Sequence, residues 1–365
     1  APTGWAAYVP PPEPGPRFAL RVERSSVPGV RAVVLGTFDL LRSADRELRA
    51  GSVHIVVQLW LIGLPLVLVA WGLLVAYGPV IAELEAGKRL AESPLTGAEV
   101  SSILAVSLLA ALGLVALSLE SQLLAAIGLA ARRMGAPIDL PSAVELSRRR
   151  FWPLVRATLA VFIFASLPAA VVSVTVAAAL GAQRFLVAQT AQLVTGLLIG
   201  TPFTYTAVAC AVAGYGAVDA IRVSFRLAAR RWRLAFAVAV LRYLAQLLVQ
   251  LAASSGLDAL ASVAAALHPH VPGAVVGAVL GLGLAAVLLV VAGALVFAVN
   301  VAAVAPQVVA YAALAGLPTE GPEADLGAGL RPTRRISRPM LAAIVLAFVA
   351  AIPPTWAGIE VLLRS

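Results

Sequence analysis

Apolar stretches long enough to cross a bilayer recur along this chain from residue 53 to residue 362. A hydrocarbon core of roughly 30 Å is crossed by about 20 helical residues. Repeated stretches of that length exclude a single anchor on a soluble domain. They fall at about residues 53–77, 101–130, 155–180, 185–213, 234–267, 273–305 and 339–362. Several are longer than a crossing requires, so their ends must tilt, bend or project from the hydrocarbon. The last contains Pro353-Pro354 and reads either as a kinked span or as a re-entrant hairpin, which leaves six or seven spans. Only 12% of the 365 residues are charged, against about 25% in a typical soluble domain. Such a chain has too little polar surface to face water. The sequence therefore predicts an all-α integral membrane protein, a bundle of six or seven transmembrane helices.

The basic residues set the orientation. If the N-terminus is cytoplasmic, residues 1–52, 131–156, 216–242 and 316–338 lie inside and hold 23 of the 27 Lys and Arg residues. Lys88, Arg89, Arg184 and Arg364 fall on the other side, where Glu83, Glu85, Glu92 and Glu99 accompany them. That asymmetry is the positive-inside pattern. The net charge of +9 then belongs to loops held against anionic lipid rather than to a nucleic-acid surface. Arg supplies nearly all of it, since Lys88 is the only lysine, and this usage fits a GC-rich bacterial genome. No basic-then-apolar leader opens the chain. Residues 1–30 read as a Pro-rich cytoplasmic tail, residues 31–315 as the membrane domain, residues 316–338 as a cytoplasmic linker and residues 339–365 as the final span or hairpin. The expected location is the bacterial cytoplasmic membrane.

The cytoplasmic segments carry helical patterns of their own. In residues 217–233, Val218, Ile221, Phe225, Ala229 and Trp232 share one face. Asp219, Arg222, Arg226, Arg230 and Arg233 share another. A helix of that kind lies in the headgroup plane with its guanidinium groups toward phosphate. Residues 142–152 repeat the idea, with Ser142 and Glu145 spaced as a capping box. Residues 33–49 repeat it again, with Val34, Leu41 and Leu48 on one stripe and Asp39, Arg42, Arg46 and Arg49 on another. Each interfacial helix leads into a span and an apolar return. This predicts three loosely repeated helix-hairpin units. Arg148, Arg149, Arg222, Arg226, Arg230 and Arg233 are the expected contacts to anionic lipid.

The stretches AVDAIRVSFRLAARRWRLAFAVAVL and LPSAVELSRRRFWPLVRATLAVFI share the pattern A-x-x-x-S-x-R…W, carried by Ala220, Ser224, Arg226 and Trp232, and by Ala143, Ser147, Arg149 and Trp152. The pattern resembles the membrane domains of bacterial glycerophosphoryl diester phosphodiesterase membrane-domain proteins and their uncharacterised six-helix relatives. The resemblance covers residues 30–315 and implies a membrane domain alone. Some members of that group add a soluble phosphodiesterase domain, and no segment here is long and polar enough to be one.

Catalytic groups are sparse. No phosphate-binding loop, dinucleotide fingerprint, HExxH or nucleophile elbow is present. Cys210, the only cysteine, lies in an apolar stretch and reads as a small buried side chain. His268 and His270 share a turn, but no nearby carboxylate or thiol completes a metal site. His54 reads as an interfacial residue where the first span begins. Glu120 and Asn300 are the candidate intramembrane polar residues. Residues 101–119 already suffice to cross, so Glu120 is expected to emerge at the inner interface beside Arg132 or Arg133. Asp258 is equally ambiguous. Gln189, Gln192, Thr201, Thr204 and Tyr205 either line a polar path or bond between helices. Gly273, Gly277, Gly281 and Ala285 form a stripe on which another helix, of this chain or a second one, could pack closely. Gly196 and Gly200 offer a shorter one.

These features predict a non-catalytic membrane scaffold or accessory subunit, without a cofactor or metal. Its partners are anionic lipids and other membrane chains or copies of itself. The alternative is a transporter or permease with a polar path near Glu120 and Asn300. The third reading is a membrane enzyme acting on lipid head groups.

Overall fold

The computed structural model describes residues 29–85, 97–180, 185–267, 274–316 and 338–364. The Pro-rich tail, most of the 82–100 loop, most of the 316–338 linker, and Arg184, His268, His270 and Gly273 lie outside the described residues. Every regular element in the described residues is helical. The order is α1 (Val30–Ser43), α2 (Asp45–Glu85), α3 (Gly97–Arg133), α4 (Leu140–Val161), α5 (Leu167–Leu180), α6 (Phe185–Gly200), α7 (Thr206–Ala213), α8 (Ala217–Arg230), α9 (Trp232–Leu267), α10 (Ala274–Tyr311) and α11 (Arg338–Arg364). Five stretches are long and apolar enough to cross a membrane: Asp45–Leu73, Leu104–Arg133, Leu140–Ala179, Thr190–Ala213 and Leu280–Ala315. Ile344–Glu360 is a shorter apolar stretch within α11. That helix continues through Pro353-Pro354, so the segment is one helix and not a hairpin.

Two expected helix starts move. Residues 33–49 are not one helix. α1 stops at Ser43, whose hydroxyl donates to the Leu40 carbonyl at 3.0 Å, and the backbone N–H of the buried Ala44 turns back to the same carbonyl. α2 then begins with Asp45 and Glu47 in its first turn, where carboxylates favour the helix N-terminus. Ser142 and Glu145 do not cap α4. Proline's fixed φ suits a first helical turn; Pro141 sits in that turn of a helix that starts at Leu140, so the cap falls at Asp139, three residues before Ser142. Ser142 is therefore buried inside the helix, and Glu145 accepts from Arg149 Nε at 2.9 Å.

The packed core sits at one end of the bundle. It joins α1, the start of α2, the second half of α3, the first half of α4, α7, α8, the start of α9 and the end of α10. Toward the other end a much smaller cluster centres on Val69, Val106 and Ala351. Polar stitches hold the large core. Pro202 interrupts the run from α6 to α7 with a 3-10 turn, Thr201–Phe203. The buried Ser224 of α8 donates to the carbonyl of Pro202 at 2.6 Å and accepts from the backbone N–H of Tyr205 at 3.0 Å. α7 ends at Gly214, whose φ of 66° is left-handed and suits glycine. The guanidinium of Arg150 donates to the exposed carbonyls of Ala211 and, at 2.6 Å, Val212. A cation at a helix C-terminus also opposes the helix dipole favourably.

The A-x-x-x-S-x-R…W positions have the same burial in α8 and α4. Ala220, Ser224, Ala143 and Ser147 are buried, while Arg226, Arg149, Trp232 and Trp152 are exposed.

Outside that core the helices meet at small residues. α2 and α11 approach most closely at Gly72 and Gly358. A Cβ on Gly358 would lie 2.8 Å from Gly72 Cα, and one on Gly72 would overlap the Pro354 carbonyl and lie 2.8 Å from Thr355 Cα. Thr355 Oγ1 donates across the crossing to the Leu68 carbonyl at 3.3 Å. On α10 the packing glycine is Gly293, held against Val56 of α2. Gly281 faces open space. Gly72→Leu should therefore destabilise the bundle by about 1–3 kcal/mol or more, read as a lower unfolding temperature in detergent. Gly281→Leu should leave that temperature unchanged; equal loss at both sites would contradict the crossing.

Candidate functional site

His54 and Gln58 are four residues apart on α2, so they share one face of the helix. Both are buried, and both point at Glu120 of α3. Gln58 Nε2 lies 2.7 Å from His54 Nε2 and donates to Glu120 Oε1 at 3.4 Å. His54 Nε2 lies 3.3 Å from Glu120 Oε1. His54 Nε2 thus lies within hydrogen-bond reach of both the Gln58 amide and the Glu120 carboxylate, and it donates or accepts according to the imidazole tautomer. The cluster is rich in acceptors. Gln58 Oε1 adds another, buried and without a hydrogen-bond partner.

Gln58 and Glu120 form part of the wall of a cleft of about 500 Å³ among α2, α3, α4 and α11. Sites for small molecules commonly measure about 300–1,000 Å³. Ser147 and Arg148 of α4 stand at the same end, with Phe151 and Trp152 beside them. The Ser147 hydroxyl is buried and has no hydrogen-bond partner. The remaining wall is apolar, with Ile62, Leu109, Leu117, Ile344 and Ala347 among its members. From Glu120 to Leu109 the α3 wall extends about 16 Å, at about 1.5 Å per residue. The arrangement is a polar end that accepts hydrogen bonds and a long apolar end.

The other expected site residues are dispersed. Glu120 does not emerge beside Arg132 or Arg133. Arg132 lies one helical rise of about 18 Å away on α3 and reaches Glu47 at 3.9 Å instead. Asn300 stands on α10, donates its amide to the Val296 carbonyl at 2.9 Å, and is not part of the cleft wall. Thr201 and Thr204 bond to carbonyls of their own turns, Leu197 and Thr201, rather than across helices. Gln192 is exposed. The side chains of Gln189 and Asp258 are outside the described residues. Arg148 is half-buried, and Arg149 is exposed and paired with Glu145. Arg222 pairs with Asp219 at 3.6 Å, and Arg226, Arg230 and Arg233 are exposed. On α10, Gly281 is open and Ala285 half-buried, while the surroundings of Gly277 are outside the described residues. A Cβ on Gly196 of α6 would lie 3.7 Å from the Ala169 Cβ of α5, and Gly200 faces open space. Among the described residues no His, Cys, Asp and Glu side chains gather as a metal site.

Sequence reasoning found Glu120 but missed its partners. The available signal was the four-residue spacing of two polar side chains, His54 and Gln58, in an otherwise apolar span. No family model, curated protein or solved structure matches this chain.

Because His54 and Glu120 share a buried network, their removal should be strongly non-additive. Alanine at each position and at both, followed by denaturant unfolding, should give a coupling of about 0.5–3 kcal/mol. Additive losses would show that the two side chains act separately.

Proposed function

We propose that the protein is a non-catalytic membrane scaffold or accessory subunit that organises anionic lipid and partner membrane chains. The observation that carries this reading is the three-sided surface of α8. One face, with Ala220, Val223, Ser224, Leu227 and Ala228, is buried in the core. A second exposes Val218 and Phe225, 61% and 44% accessible, with the half-buried Ile221 between them. Arg222, Arg226 and Arg230 form the third. At about 100° per residue, the exposed apolar face lies between the buried face and the guanidinium row. A helix fixed in this way can dip its apolar side into the acyl boundary while its arginines meet phosphate. Phe225 is set edge-on against Phe203 at 4.9 Å, which keeps that side stiff.

The same proposal covers the finer architecture. It places six or seven spans in a bacterial cytoplasmic membrane, with the N-terminus inside and α1, the start of α4 and α8 at the interface. The common burial in α4 and α8 supports a repeated unit within this chain. Exposed apolar side chains on α4, α10 and α11, such as Leu159, Val287 and Leu346, leave room for partner chains. A second reading, an enzyme acting on lipid head groups, is favoured by the Glu120 carboxylate at the polar end of the cleft, with the His54 imidazole 3.3 Å from it.

Replacing Arg222, Arg226 and Arg230 together with Gln removes about 1 kcal/mol per residue of attraction to anionic lipid. Retention of anionic lipid by the purified protein, measured by mass spectrometry, should fall by roughly 100-fold. Unchanged retention would remove the lipid-organising role. For orientation, Leu90→Cys in a Cys210→Ala background should react with an impermeant thiol reagent from the outer side. Reaction from the cytoplasm alone would reverse the topology.

A further inference from the structure

We infer that the cleft among α2, α3, α4 and α11 holds one chain of a membrane amphiphile whose head is an uncharged hydroxyl group. This goes beyond the role of α8 and does not depend on it. The polar end of the cleft offers acceptors that lack donors. Gln58 Oε1 is buried without a partner, on a side chain only 2% exposed. Ser147, 0% exposed, has a hydroxyl in the same condition. The Glu120 carboxylate stands at the same end of the wall and adds further acceptor oxygens. An unsatisfied buried polar group costs about 1–3 kcal/mol, so a donor arriving here removes an existing penalty. A hydroxyl provides one donor and can also accept from Ser147.

An anionic head fits less well. Glu120 would repel it, and Arg148, the one cation among the described residues of the wall, is already engaged within the protein. The apolar end selects the other half of the ligand. Its walls extend about 16 Å along α3, the scale of an extended hydrocarbon chain rather than of a compact metabolite. Leu112 and Trp152 line the cleft and are 60% and 64% exposed. They belong to the apolar outer surface of stretches long enough to cross a membrane. The cleft therefore opens sideways to the leaflet, and the ligand enters from lipid rather than from water.

The full chain in phosphatidylcholine nanodiscs provides the test, with a photoactivatable, alkyne-tagged hexadecanol as probe. Labelled peptides should come from α3 and α11 along the cleft. Unlabelled hexadecanol should saturate the labelling, and palmitate at the same concentration should compete at least ten-fold less well. Ala347→Trp fills the apolar end and should abolish the saturable component. Gln58→Leu with Ser147→Ala removes the polar end without adding bulk and should weaken it about ten-fold, which covers the case in which the filled variant does not fold. The triple Arg222, Arg226 and Arg230 to Gln variant should label as the wild type does, separating this site from the α8 surface. Labelling that does not saturate, or that survives loss of the polar end, would overturn the inference. Equal competition by palmitate would also overturn it, because the head would then be an anion held by Arg148.

Discussion

Hydrocarbon offers a peptide group no hydrogen-bond partner, and it rewards helix association with no hydrophobic gain. Both limits are visible here. The backbone answers the first by remaining helical, even through Pro153, Pro306 and Pro353-Pro354. It answers the second with contact rather than burial. At Gly72 and Gly358 the backbones of α2 and α11 come together with nothing between them. Dispersion and a threonine hydroxyl on a facing carbonyl act at that distance, and a single methyl group would separate the helices.

The two ends of the molecule follow different rules. At the end rich in arginine, α1, α7, α8 and the first half of α4 enclose a true core, in which Tyr205, Ile127 and Leu227 are fully buried. Polar groups are used there as fasteners. Ser224 joins α8 to the break at Pro202, and Arg150 closes the open carbonyls of α7. Toward the other end the helices spread, and Leu, Val and Phe side chains face outward on α3, α4, α5 and α10. In lipid those side chains carry no penalty. The cleft with Gln58 and Glu120 on its wall lies where these two regimes meet, with core-like polar packing at one end and an apolar opening at the other. An amphiphile has the same division, and this is the physical basis for proposing one there.

α8 shows how a rigid platform changes what an amphipathic pattern means. A free peptide of this sequence would present one apolar side and one charged side. In the protein it has a third side, because Ala220 and Ser224 are small enough to sit against α7 and the Pro202 turn. The arginines are thereby held at fixed positions relative to the core. The ion pair of Arg222 with Asp219 is exposed and contributes little to stability.

Composition and the length of apolar runs were enough to predict helices of membrane-crossing size, because the bilayer sets a length that any sequence must meet. They also singled out Glu120, since a carboxylate among apolar residues stands out in one dimension. The sequence did not disclose its partners. His54 and Glu120 are 66 positions apart, and nothing local dictates that α2 and α3 meet at that register. Spacing did not point to the tight crossing within the chain either: Gly281 satisfies the spacing for close packing yet faces open space in the single chain, while Gly72 and Gly358 make the crossing. The capping box at Ser142 was overruled by Pro141, one residue upstream, whose ring already fixes the first turn. Local chemistry determines which segments can be helices and which side chains are costly in lipid. Which helices touch, and which polar groups meet inside them, is decided only when the whole bundle closes, because each such contact depends on the rotation and depth of two helices at once.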